Sequence, residues 1–131
     1  MTTNTDTGTA ALGLSTPTET MASFVEHVHS GDLDSLIKLY DPEAVFRPST
    51  GEVLTGTEEI RAGLAQLLAL KPTMNVEVAQ VLSTGDTALV VNQWSMTGTA
   101  PDGSAVADSG RSADVLRRQL DGRWLVLIDH P

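Results

Sequence analysis

The stretch Ser112–His130, SADVLRRQLDGRWLVLIDH, decides how the rest of the chain is read. Asp121-Gly122 stands between two apolar-rich runs. Asp-Gly in that setting signals a two-residue hairpin turn, because both central residues of a type I′ turn need positive φ. A turn of fixed length fixes the register. Counting outward, Leu120 faces Arg123, Gln119 faces Trp124, Leu116 faces Leu127 and Asp114 faces Asp129. Two acids are thus expected opposite each other on one sheet face, with Cβ atoms roughly 4.5–5.5 Å apart. Like charges so placed are unfavourable unless the face is wet, a cation intervenes, or one acid keeps its proton. Within a cavity, the last arrangement makes a general acid or base. A solvated face, or an ion pair with Arg47, Arg111 or Arg118, is the simpler alternative. A loop one residue longer would send the two acids to opposite faces.

Upstream of this hairpin the chain is strand and turn as far back as Met74. Met74–Ser83 alternates in part, Gly85-Asp86 turns the chain, Thr87–Thr99 forms a long strand, and Pro101-Asp-Gly103 turns it again. Tight connections predict antiparallel neighbours. The first half is helical. Thr16-Pro17-Thr18-Glu19 combines an N-cap, a proline at the first helical position and a capping-box glutamate. Met21, Phe24, Val25 and Val28 follow at helical spacing, and Ser30-Gly31 ends the helix. Asp32 caps a second helix with Leu33, Leu36, Ile37 and Tyr40 on one stripe, stopped at Asp41-Pro42. Ala44–Pro48 reads as a short strand, placed at an edge or end by its proline, and Glu52–Leu54 as another. Thr55-Gly-Thr-Glu58 opens a third helix that buries Ile60, Leu64, Leu67 and Leu68. Residues 1–15 are small and polar and read as a loose tail; residues 16–131 form one domain. Helices first and strands after make an α+β fold, three helices on a curved antiparallel sheet that encloses a pocket.

The composition narrows the partners. Seventeen acidic residues against eight Lys and Arg give a net charge of −9, which argues against nucleic acid and anionic membranes, both of which require a basic surface. No apolar run approaches the ~18 residues of a membrane span, and the Thr-rich start lacks the basic and apolar blocks of a secretion signal. With no cysteine, disulfides, thiol nucleophiles and thiolate metal sites are excluded, and a reducing cytoplasm is the expected location. His27 and His29, two apart on a helix, point to different sides and do not form a metal pair. No Gly-x-Ser-x-Gly elbow and no phosphate loop is present. No metal and no cofactor are expected.

Gly31-Asp-Leu-Asp34, Leu39-Tyr40, Ala44-Val-Phe46, Gly56-Thr-Glu-Glu-Ile-Arg61 and Asp121-Gly-Arg-Trp124, in that order, resemble the NTF2-like superfamily. This is the cystatin-like cone of nuclear transport factor 2, the ketosteroid isomerases and the SnoaL-like cyclases. The Gly-Arg-Ser, Leu-Arg-Arg and Ile-Asp-His-Pro pieces look most like small bacterial proteins, some of them found among polyketide and enediyne biosynthesis genes. The resemblance implies that the isomerase's helix-one tyrosine falls on Phe24, its proton-shuttling aspartate on Pro48, and its oxyanion-donating aspartic acid on Asp114. The first two groups are therefore missing. Asp129 stands where the isomerase has a small apolar residue.

These readings together assign Asp114 and Asp129 as the catalytic pair. Phe24, Phe46, Leu64 and Leu127 are expected as pocket walls, and Gln93 and Ser95 as polar groups facing the ligand. Bare alternation puts Ala88, Val90, Trp94 and Met96 on one face and Gln93 and Ser95 on the other. Apolarity alone would turn the first set inward. The family register turns it outward, to a homodimer face shared with Trp124, Val126 and Ile128, and that register sets the expectation. The expected function is a cofactor-independent isomerase or cyclase acting on a hydrophobic carbonyl compound of polyketide type. A non-catalytic small-molecule-binding or accessory dimeric module is the alternative.

Overall fold

The structure is a computed structural model that describes residues 13–131; most of the segment read as a loose tail lies outside the described residues. Among the described residues the chain forms three helices and one six-stranded sheet. In chain order these are α1 Pro17–Ser30, α2 Leu33–Ile37, β1 Tyr40–Phe46, β2 Leu54–Thr55, α3 Gly56–Ala69, β3 Thr73–Thr84, β4 Thr87–Thr99, β5 Ala105–Arg118 and β6 Trp124–Asp129. The strands lie in the order β2-β1-β6-β5-β4-β3. The sheet is mixed rather than antiparallel, because β1 runs parallel to β6. No helix of the described residues is long and apolar enough to cross a membrane.

The helix starts follow their caps. Thr16 accepts from the Glu19 N–H, Pro17 occupies the first turn, and Gly31 closes α1 at φ +68, a left-handed position that suits glycine. Ser15 donates through both its N–H and its hydroxyl to the Glu19 carboxylate. Just before it, the Leu14 carbonyl accepts from the Trp124 N–H at 2.8 Å. Residues 14 and 15 are therefore anchored, not tail. At α3 it is Glu59, not Glu58, that reaches back to the Thr55 N–H, at 3.0 Å. The second helix stops at Ile37, and Tyr40 opens β1 instead of continuing the helical stripe. The parallel partner strand claims this segment: the Leu39 carbonyl accepts from the Val126 N–H at 2.8 Å.

The hairpin differs from its expected form twice, and the two differences cancel. Gln119 donates to the Arg123 carbonyl and Gly122, at φ +90, donates back to Gln119. The loop is thus three residues, Leu120-Asp121-Gly122, with glycine in the left-handed position such a loop requires. Near the turn, Arg118 pairs with Trp124 and Leu116 with Val126, one step off the two-residue count. Leu127 is then an extra residue on β6, because the next pair is Val115 with Ile128. This bulge restores the register, and the Ala113 N–H meets the His130 carbonyl at 3.0 Å. Asp114 and Asp129 end on the same inner face. The bulge also turns Trp124 and Val126 inward, into the core cluster, and leaves only Ile128 of that set facing out, 43% exposed.

The core lies between the inner sheet face and the helices. Leu36, Ile60, Leu64, Val90 and Leu116 are fully buried there. Thr20 ties α1 to β6 through a 2.7 Å bond to the Trp124 carbonyl. On the other side of the sheet, Arg117 clamps the buried Asp41 through Nε and Nη2 at 3.0 and 2.9 Å, and Gln119 adds a third donor. Burial alone would raise the Asp41 carboxyl. Arg117, the Glu43 N–H and Gln119 more than offset that and hold it below the usual range.

Candidate active site

Alternation along two neighbouring strands builds one wall of a cavity. On β5, Asp108, Gly110, Ser112 and Asp114 share the inner face; their partners on β4 are Met96, Trp94, Asn92 and Val90. Helix α1 contributes Met21 and Phe24, β1 contributes Phe46, and α3 contributes Gly63 and Leu67. The space enclosed is about 550 Å³ and mostly apolar, within the size range of small-molecule sites. Two glycines pack closely against side chains that line it. A side chain at Gly63 would meet Leu54 and Phe46, and one at Gly110 would meet three atoms of the Trp94 indole at 3.2–3.3 Å.

The acids lie together in this wall. Asp114, 6% exposed, accepts from the His130 N–H at 3.1 Å, from Asn92 Nδ2 at 3.0 Å and from the Ser112 hydroxyl at 3.4 Å. Asp129 accepts from the Tyr40 hydroxyl at 2.5 Å. Burial pushes the Asp114 carboxyl up to about 9, and the charge of Asp129 and a hydrogen bond between the two carboxyls add to the rise. Burial raises Asp129 as well, although the Tyr40 hydroxyl and the bond to Asp114 pull it back. Burial and the Asp129 charge also raise the Tyr40 phenol well above its ordinary value. Two enclosed carboxyls in contact titrate as one unit. Burial raises both, Asp114 the further, so the pair favours holding a proton over ionising fully. Among the described residues no Lys or Arg forms a salt bridge with them, as Arg118 pairs with Asp86 and Arg117 with Asp41 and Glu43, and the nearby His130 charge pulls Asp129 down.

Of the expected walls, Phe24 and Phe46 line the cavity. Leu64 does not; it is fully buried in the core behind it. Leu127 is the bulge residue and lies outside the lining. Gln93 and Ser95 are exposed on the outer face, because β4 turns Asn92, Trp94 and Met96 inward instead. The family register for Trp94 was thus the wrong choice, and bare alternation the right one. Asn92 and Tyr40 were missed. Asn92 could have been found as the one amide on the apolar inner stripe of β4. Tyr40 was hidden by the helical spacing of Leu33, Leu36 and Ile37. Two buried polar atoms in this wall have no hydrogen-bond partner, Asn92 Oδ1 and Trp94 Nε1.

Helices laid on one face of a curved sheet, with an apolar cavity between them, define the cone-shaped pocket proteins of the NTF2-like superfamily. The chain belongs to the SnoaL-like domain family, whose model matches residues 21–127. Among solved structures it is similar to an NTF2-like superfamily protein from Salmonella enterica serovar Typhimurium, with 20% identity over 87% of this chain and 85% of that one and a TM-score of 0.76. It is also similar to a ketosteroid isomerase-like protein from Erwinia carotovora atroseptica, with 18% identity over 88% and 92% and a TM-score of 0.75. At these identities the likeness is one of fold. No curated protein matches the sequence.

Proposed function

We propose that the chain is a cofactor-independent isomerase- or cyclase-like protein acting on a hydrophobic carbonyl compound of polyketide type, with Asp114 and Asp129 as its acid–base pair. The observation that carries this is a pair of buried carboxyls, Asp114 and Asp129, set side by side in the wall of an apolar cavity. In the proposed step the protonated carboxyl donates to the carbonyl oxygen while the ionised one removes a proton from the adjacent carbon. An O–H bond forms as a C–H bond breaks, and the pair is left with one proton as before. Asn92, Ser112 and the His130 N–H hold Asp114 in place, and Tyr40 positions Asp129. A cytoplasmic location, argued from the absence of cysteine, belongs to the same proposal.

The test is exchange of the α-hydrogens of β-tetralone in deuterium oxide, followed by NMR. The wild type accelerates exchange over buffer, and Asp114→Asn and Asp129→Asn each reduce the acceleration by about 100-fold or more, the usual share of acid–base catalysis. Bound ketone with no acceleration overturns the catalytic reading. That result would favour the binding-module alternative, which Phe24 and Pro48 support by standing where the isomerases' tyrosine and base would fall.

We further propose a homodimer through the outer sheet face. Leu82, Leu89, Val115, Ile128 and Val45 form one row of cross-strand neighbours there. Leu82, Leu89 and Ile128 are 55%, 37% and 43% exposed, and an apolar row that wide calls for a partner. Light scattering is expected to give twice the mass of one chain for the wild type and a single chain's mass for Leu89→Lys. A monomeric wild type overturns the proposal.

A further inference from the structure

We propose that the outer sheet face pairs with a second copy of this chain in one register, about a two-fold axis running along β4, and that Glu77 and the partner's Arg111 set that register. The proposal rests on reading the face as a dimer interface. Glu77, Gln93 and Arg111 form one cross-strand row, with Gln93 of β4 between the acid on β3 and the base on β5. All three are exposed. They point outward, because their neighbours Val76, Asn92, Trp94 and Ser112 line the cavity on the other face. Neither charge takes part in an ion pair among the described residues, where the paired cations are Arg61, Arg117, Arg118 and Arg123. The other charged residue at the outer positions of these three strands is Arg117, and it is committed to Asp41 and Glu43.

Within one chain, Glu77 and Arg111 are two strand spacings apart, roughly 9–10 Å, with Gln93 between them. Sheets packed face to face lie about 10 Å apart, a gap that a glutamate and an arginine reaching from opposite sides can span. For two identical faces to meet, the two-fold axis must lie between the sheets and parallel to them. An axis along β4 exchanges the places of β3 and β5. It sets Glu77 opposite the partner's Arg111 and, by symmetry, Arg111 opposite the partner's Glu77. The same axis suits the neighbouring rows. Leu89, Val91 and Gln93 fall on it and face their own copies. Leu82 falls opposite the partner's Val115, and Gln80 opposite the partner's Ala113, so the larger side chains of β3 meet smaller ones. An axis across the strands would set β3 on β3 and β5 on β5, where neither charge finds its opposite. Charge pairs of this kind act on register and choice of partner more than on raw affinity, because like charges in the same places are strongly penalised.

The test reverses each charge separately. Glu77→Arg and Arg111→Glu are each expected to raise the dimer dissociation constant by about 100-fold, because each brings two pairs of like charges into the interface. Analytical ultracentrifugation measures this. The two variants are then mixed in equal amounts, one of them isotope-labelled, and followed by native mass spectrometry. They are expected to form a mixed dimer as readily as the wild type forms its own, since every facing pair is then of opposite sign. An ion pair between Glu77 and Arg111 of the same chain cannot produce that result. The double variant Glu77→Arg/Arg111→Glu is expected to dimerise as the wild type does. Single variants that dimerise like the wild type, or that fail to pair with each other, overturn the proposal. With Leu89→Lys monomeric beside them, that outcome leaves the face a dimer interface. A monomeric wild type overturns the dimer reading and this proposal with it.

Discussion

In the wild type the free energy of unfolding is expected to fall as pH rises from about 5 to about 8, and in Asp114→Asn that fall is expected to become smaller, with only the buried Asp129 left to cause it. The folded protein holds the Asp114 proton up to about pH 9, whereas the unfolded chain releases it near pH 4, the ordinary aspartate value. Between those limits the folded state binds one proton more than the unfolded state. Stability is therefore fully present below the lower limit and is lost as pH rises towards the upper one, by up to about 1.4 kcal/mol per pH unit. The carboxylates held low act in another window. Asp41 (held by Arg117), Asp32, Asp102 and Asp121 lose their contributions only as the solution becomes more acidic than the ordinary carboxylate value. Asparagine at 114 can keep the bond from the His130 N–H. Its new amide hydrogens meet Asn92, which can turn its unpartnered Oδ1 towards them. At pH 8 the variant is expected to be the more stable protein by roughly 2–4 kcal/mol, since it encloses one buried carboxyl, Asp129, instead of two. Urea denaturation at several pH values measures this. Parallel profiles for the two proteins would mean that the acids are solvated and would remove the basis for the proposed chemistry.

Leu64→Ala is expected to cost about 3 kcal/mol of stability, within the span for fully enclosed leucines whose sites collapse only partly. Leu64 is fully buried on α3 beside Ile60 and Leu36, so the lost methyl groups leave a void and not a wider pocket. Thermal denaturation reads the cost. Calorimetry well below the transition reads the other half of the prediction, unchanged affinity for β-tetralone. A large gain or loss of affinity would return Leu64 to the cavity wall, where the sequence reading had put it.

The helices and the fold class were legible because their signals are local. Thr16-Pro17, Asp32 and Gly31 cap and stop helices through atoms a few residues away. The Asp-Gly hairpin was legible as a hairpin, but its loop length was not: Asp121-Gly122 fits a two-residue turn and a three-residue turn with a left-handed glycine equally well. The parallel pairing of β1 with β6 is a contact between distant segments and left only Tyr40 as a trace, and that residue also fitted a helical stripe. On β4 the residues themselves gave the correct facing. Borrowing the orientation of a related register reversed it and put Gln93 and Ser95 where Asn92 and Trp94 stand. The juxtaposition of Asp114 and Asp129 was reached through a loop one residue too short and a bulge left out, two errors of opposite sign.

The extra residue at Leu127 divides the final strand into two independently phased segments. The portion nearest the turn answers to the helix it packs on, and the distal portion answers to whatever occupies the hollow. A chain that lost Leu127 alone would keep Trp124 and Val126 inside and Asp129 beside Asp114, because Leu116 and Val115 would still meet Val126 and Ile128 as successive pairs, and what it would lose is the local bend of β6.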